Sequence, residues 1–115
     1  MSDWWQWSPI KANQKLGFAV VGIGRFGSAV CRELLRNGAD VLAVDFSEKA
    51  IEELRQLEPT IEARVVDSTD EESMKEAGVL EMGTVVVGIS EPIEASITTT
   101  LIAKDTEGSL VKQVI

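Results

Sequence analysis

The chain has 115 residues, 44% of them hydrophobic, and 19 acidic side chains against 11 basic ones give a formal charge of −8. That length buries one ordinary core but hardly two, and the acidic balance excludes general binding to phosphate backbones, though not to a mononucleotide held by local N–H groups. One cysteine and no histidine exclude an intrachain disulfide and a Cys/His zinc centre.

Residues 1–15 stand apart. They hold all three tryptophans (Trp4, Trp5 and Trp7), then Pro9 and a polar run. They read as an extension outside the main core, whose aromatics either cover local apolar surface or dock on a partner. From Leu16 the pattern alternates. A first strand is predicted over Leu16–Val21 and a first helix over Arg25–Arg36, with Phe26, Val30 and Leu34 as its buried stripe. Asn37-Gly38 ends that helix. A second strand covers Asp40–Val44, apolar on both faces as a strand between two helical layers is. Ser47 caps a second helix, which shows Ile51, Leu54 and Leu57 on one face and stops before Pro59.

A third strand follows over Glu62–Val66. Thr69 and Glu72 have the spacing of a capping box for a short third helix that ends near Gly78. A fourth strand, Thr84–Ile89, leads to a fourth helix capped by Ser90, with Pro92 in its first turn and Ile93, Ile97 and Leu101 on one face. Gly108 closes it, and Leu110–Ile115 reads as a fifth strand. Strands alternating with helices, without a hairpin signal, specify an α/β fold: a Rossmann-like, doubly wound parallel sheet in the order 3-2-1-4-5 with helices on both faces. The apolar last strand would be a sheet edge, so a domain truncated at its C-terminal end or covered by another chain is expected.

The chemistry concentrates at the first strand–helix junction. Gly22-Ile23-Gly24-Arg25-Phe26-Gly27 is a G-x-G-x-x-G between a strand and a helix, and Asp45 lies 21 residues after Gly24, at the tip of the next strand. Alone such a hexapeptide is weak evidence; in this setting it predicts a nucleotide half-site. Gly22 permits the tight turn, Gly24 lets backbone approach a phosphate, and Gly27 brings the helix against the sheet. The helix N-terminus then faces the anion, and the Asp45 carboxylate accepts from the ribose hydroxyls. An acid at that point repels a 2′-phosphate, so NADP is disfavoured.

Other residues carry two readings each. Arg25 sits unfavourably at the positive end of a helix dipole, which points to a phosphate or a neighbouring subunit's ligand, or else it is simply solvated. Asp67 meets the adenine or ribose, or caps the helix beside Thr69. Glu91 complements a helix dipole, Cys31 reads as a small core residue, and Thr98-Thr99-Thr100 is a poor helix-forming run suited to a packed helix interface. No catalytic set can be placed: there is no histidine or tyrosine, and no nucleophile–base pair falls in the crevice.

The glycine loop, Val41-Leu42-Ala43-Val44-Asp45, Val66-Asp67-Ser68-Thr69-Asp70-Glu71 and Val85-Val86-Val87-Gly88-Ile89, taken in that order, resemble the RCK (KTN, TrkA-N) domain. The match is nearest to the cytosolic regulatory subunits of Ktr/Trk-type potassium uptake systems and covers about Leu16 to Ile115. The resemblance implies a non-catalytic sensor that binds ATP/ADP or NAD(H) and gates a membrane potassium-translocating subunit. It also implies assembly into dimers and octameric rings, and a cytoplasmic location peripheral to the membrane through that partner. Arg25 matches an arginine that reaches the terminal phosphate of ATP on a neighbouring subunit. Asp67-Ser68 matches the adenine side, and Gly88-Ile89-Ser90 the fourth-strand corner near phosphates or ribose. The candidate cofactor positions are therefore Gly22, Ile23, Gly24, Arg25, Phe26, Gly27, Asp45, Phe46, Asp67, Ser68, Gly88, Ile89 and Ser90, with no metal site.

There are departures. Val66 and Ser68 stand where the family often has Gly and Ala in a Gly-Asp-Ala-Thr segment, and the family's fifth helix, sixth strand and smaller second lobe are missing. The alternative readings are the N-terminal half of an NAD-dependent oxidoreductase and an interaction module with a vestigial pocket.

Overall fold

Strand and helix alternate throughout the computed structural model, which describes residues 17–89 and 93–115. In chain order the elements are β1 (Phe18–Val21), α1 (Arg25–Arg36), β2 (Val41–Asp45), α2 (Glu48–Leu57), β3 (Glu62–Val65), α3 (Glu71–Ala77), a single 3-10 turn (Val79–Glu81), β4 (Thr84–Val87), α4 (Ile93–Asp105) and β5 (Gln113–Val114). The Trp-rich extension, Leu16, the Ser90 cap, Glu91 and Pro92 lie outside the described residues, as does the side chain of Ile93.

The sheet order is β3-β2-β1-β4-β5, with all four pairings parallel. This is the doubly wound arrangement that the alternation predicts. Its core is split by the pleat. Phe18 and Val20 of β1, with Val41 and Ala43 of β2, join Cys31 and Leu34 of α1 and Ile51 and Leu54 of α2 on one face. Ala19, Val21, Leu42 and Val44 join Met74, Val79 and Ala103 on the other. Each central strand is thus apolar on both sides, because helices cover both faces. Truncating a fully buried side chain such as Leu34 to alanine costs about 2–5 kcal/mol.

Several local expectations are corrected. The buried face of α1 consists of Gly27, Cys31 and Leu34, while Phe26 is 60% exposed. The reason is Gly27: a Cβ there would overlap the Gly22 carbonyl oxygen, so this glycine must face the sheet and sets the helix rotation. Phe26 turns outward, and its ring edge comes to rest over Gly88. In α4, Ile97 and Leu101 are both more than half exposed, and the fully buried residues are Thr99 and Ala103. Apolar residues lie on several sides of this helix, so periodicity cannot choose its inner face. Leu57, in the last turn of α2, is also exposed.

The cap of α3 is Asp70, whose carboxylate accepts from Ser73 N at 3.1 Å; Thr69 is instead bonded to Asp67. The helix closes on Gly78 in a left-handed conformation. Ser47 caps α2 by accepting from Ala50 N. β2 runs to Asp45 rather than stopping at Val44, and β3 and β4 end one and two residues earlier than predicted. β5 is reduced to two residues because the chain before it is tied elsewhere: Leu110 N donates to Leu80 O and Lys112 N to Gly83 O.

Candidate functional site

Every strand of the parallel sheet delivers its carboxyl end to the same edge, and β1 and β4 diverge there into helices on opposite faces. A crevice forms at that switch point. Its volume is about 450 Å³, and it is lined by Val21, Gly22, Ile23, Gly24, Asp45, Phe46, Asp67, Ser68, Thr69, Gly88, Ile89 and Ala95.

The glycine loop forms its floor. Gly22 has φ +97°, and a Cβ on it would approach the Gly88 carbonyl carbon to 2.9 Å. This position therefore needs a glycine both for its backbone conformation and for the close passage of the β4 corner. Gly88 N closes that passage with a 2.7 Å hydrogen bond to Val21 O. Gly24, the N-cap of α1, faces open space: a Cβ on it would meet nothing within 4 Å. The first turn of α1 carries neither an acidic residue nor a side-chain cap. A helix start without its own acceptors, beside an exposed glycine backbone, is suited to an anion.

Asp45 stands at the tip of β2, half-buried. Its Oδ2 accepts from Ile23 N at 2.6 Å and its Oδ1 from Ser47 N at 2.7 Å. The acid therefore ties the glycine loop to the second strand and also forms the turn into α2, while Ser47 makes the cap. Each carboxylate oxygen retains acceptor capacity for a further donor. Phe46, the next residue, is 77% exposed at the crevice rim.

The far wall is the loop after β3. Asp67 Oδ1 accepts from Thr69 N at 3.0 Å and from Thr69 Oγ1 at 2.5 Å, and these bonds hold its carboxyl below the ordinary carboxylate value. Asp67 thus makes the local turn beside Thr69 and lines the crevice as well. Ser68 is bonded across to Thr99 of α4, with 2.8 Å between the hydroxyl oxygens.

Of the residues singled out from sequence, Gly22, Ile23, Gly24, Asp45, Phe46, Asp67, Ser68, Gly88 and Ile89 meet at this crevice. Arg25, Phe26 and Gly27 do not line it. Gly27 is buried beneath the loop, and Arg25 borders a neighbouring hollow with Ser28, Ala50 and Glu53. Ser90 lies outside the described residues. Thr69 and Ala95 line the crevice without having been anticipated as such; Thr69 carried a capping signal, whereas Ala95 carried none. Cys31 is fully buried, and burial pushes its thiol up to about 12, which makes it inert core. Among the described residues no helix is long and apolar enough to cross a membrane, and no cluster of His, Cys, Asp or Glu could hold a metal ion.

Sheet order, glycine loop and switch-point crevice together define a Rossmann-like domain of the TrkA-N type. The TrkA-N domain family model matches residues 18–115, and the chain belongs to that family. It is 42% identical over 91 residues to Ktr system potassium uptake protein C of Bacillus subtilis (strain 168), covering 79% of this chain and 40% of that relative. The chain thus spans about two fifths of the length of this curated relative. Among solved structures it resembles the NAD(P)-binding domain of an exopolyphosphatase-related protein from Archaeoglobus fulgidus, with TM-score 0.66 and 28% identity, over 76% of this chain and 63% of that one. The TrkA-N domain of the inner membrane protein ybaL from Escherichia coli shares the fold, with TM-score 0.70 and 19% identity, over 86% and 85% of the two chains.

Proposed function

We propose that this domain is a nucleotide sensor. It binds ATP/ADP or NAD(H) in the crevice and regulates a membrane potassium-translocating subunit from the cytoplasmic side. The observation that carries the reading is Asp45: a carboxylate held against the glycine loop by Ile23 N, with the exposed backbone of Gly24 on one side and the Ser68 wall on the other. Phosphates fit the glycine loop and helix start, a ribose fits Asp45, and the base fits beyond it. The name of the 42% identical relative supports the potassium role, and the NAD(P)-binding neighbour supports the ligand class. The same relative favours regulation over an oxidoreductase.

Regulation requires that ligand bind one assembled conformation better than another, since equal affinity shifts nothing. Arg25 lies outside its own chain's crevice, which supports a role toward a ligand held by a neighbouring copy, in a dimer or ring. The test is a thermal-shift panel with ATP, ADP, NAD, NADH and NADPH. Ligand at 100 times its Kd stabilises by about 2.7 kcal/mol, a rise of roughly 10 °C in Tm for a domain of this size. No shift with any of the five at millimolar concentration would overturn the reading.

A further inference from the structure

Thr99 is fully buried in α4, yet it carries a hydroxyl, and it bonds differently from the threonine beside it. Thr100 Oγ1 donates back along the helix to Ser96 O at 2.9 Å, a local bond open to any helical threonine. Thr99 Oγ1 reaches instead to the loop after β3, 3.2 Å from Ser68 O and 2.8 Å from Ser68 Oγ. Two hydroxyl protons serve this contact. When Thr99 donates to the Ser68 carbonyl, the Ser68 hydroxyl donates to Thr99 Oγ1, and both protons are used in two hydrogen bonds. The reverse direction makes only one bond within the pair and takes the donor away from the carbonyl. With Thr99 fully buried and Ser68 half-buried, the doubly bonded arrangement wins, because it leaves neither the threonine hydroxyl nor the carbonyl it faces unsatisfied.

Ser68 then presents only lone pairs to the crevice. Its neighbours do the same. The Thr69 hydroxyl proton is spent on Asp67 Oδ1, and Asp67 is itself a carboxylate. This part of the wall therefore offers side-chain acceptors and no side-chain donor. It also occupies a definite place along the sheet edge: glycine loop after β1, Asp45 at the end of β2, Ser68 after β3. With phosphates at the first and ribose at the second, as proposed above, the third meets the base.

Resting on that reading, we infer that the Thr99–Ser68 pair makes the base end of the crevice an acceptor wall. It selects a base with an amino edge, as in adenine, against one with a keto group there, as in hypoxanthine. Thr99 touches no ligand; it is the positioning residue that fixes the Ser68 proton and so the selectivity. Adenine offers an N6 donor where a 6-keto base offers an acceptor, and two facing acceptors repel.

The experiment is calorimetric titration of the 115-residue chain with ATP, inosine triphosphate and inorganic tripolyphosphate. The wild type should prefer ATP over inosine triphosphate by about tenfold or more. Thr99→Val keeps the shape but frees the Ser68 proton, so the preference should fall to within about threefold with tripolyphosphate affinity unchanged. Thr99→Ser should restore it. Ser68→Ala, at a half-buried position, should also narrow the preference, with Asp67 left as an acceptor, and covers the case in which Thr99→Val does not fold. An equal loss for ATP and inosine triphosphate in Thr99→Val, or an unchanged ratio in both Thr99→Val and Ser68→Ala, would overturn the selectivity role alone. So would a wild type that binds both nucleotides equally. A wild type that binds neither nucleotide would overturn this inference, and if NAD and NADH also failed to bind it would overturn the sensor reading as well.

Discussion

Asp45 Oδ2 accepts a hydrogen bond from Ile23 N at 2.6 Å, joining the tip of β2 to the middle of the glycine loop across 22 residues of chain. The same carboxylate accepts from Ser47 N through its other oxygen. One side chain thus holds the loop in shape before any ligand arrives and remains the acceptor that a ribose would meet. The fold and the proposed binding are coupled at this residue.

Asp45→Ala should accordingly weaken the protein even without ligand. Hydrogen bonds to a charged group are worth about 1.5–3 kcal/mol each, and two N–H donors lose their acceptor here. The exposed Ser47 N–H is rehydrated, so the loss in urea denaturation should be about 1.5–3 kcal/mol, chiefly from the part-buried Ile23 bond. The same variant should lose most NADH affinity and narrow the gap between NADH and NADPH. NADPH stabilising the wild type more than NADH would contradict the ribose role.

Arg25→Ala should weaken ATP more than ADP or NADH, because the proposed contact is to a terminal phosphate that only ATP carries. Losing a charge-assisted bond of about 1.5–3 kcal/mol corresponds to roughly 10- to 150-fold in Kd. Because Arg25 lies outside its own chain's crevice, the loss should grow with protein concentration as copies associate. Equal losses for all three ligands, by titration calorimetry, would remove the arginine from this role.

Gly27→Ala should be among the most damaging single-methyl changes in the chain. The new Cβ would overlap the Gly22 carbonyl oxygen, a backbone atom with no rotamer to escape into. Either α1 lifts from the sheet or the loop distorts, at a cost of about 3 kcal/mol or more. Gly38→Ala is a useful contrast. Nothing lies within 4 Å there, so its penalty comes from its φ of +81° alone. Equal Tm values for Gly27→Ala and wild type would refute the packing account.

Cys31 supplies a pH test. Burial raises its thiol from an ordinary 9.0 to about 12, so the folded chain keeps a proton that the unfolded chain gives up. Stability from this group is complete below about pH 9 and is lost as pH rises from there toward 12. Cys31→Ala should remove that part of the alkaline slope in stability against pH. At pH 8 the native thiol should resist Ellman's reagent until the protein unfolds; rapid labelling of the folded chain would contradict its burial.

The alternation of elements, the strand order and most of the crevice were legible in the sequence. Parallel strands covered on both faces must be apolar throughout, as Val41–Val44 and Val85-Val86-Val87 are, and one topology carries their ends to a common edge. The Asp45 position was legible for the same reason, since its distance from the glycine loop is set by one helix and one strand. What misled was residue size. Phe26 and the Ile97/Leu101 pair read as buried because they are large and periodic, yet Gly27 and Thr99 face inward. The α3 cap passed from Thr69 to Asp70 because Asp67 captured the threonine first.

Local chemistry in the chain by itself determined which segments are strands and helices, where the glycine turn falls and which acid stands 21 residues beyond it, since each depends on neighbours in sequence. Only the tertiary structure decided how far each helix rotates about its axis. That rotation follows from the closest backbone approach, Gly27 against Gly22, and from the bond a buried hydroxyl must make, Thr99 to Ser68 across 31 residues. Contacts between segments so distant in the chain leave no periodic trace, and they set which side chains face the crevice and which face solvent.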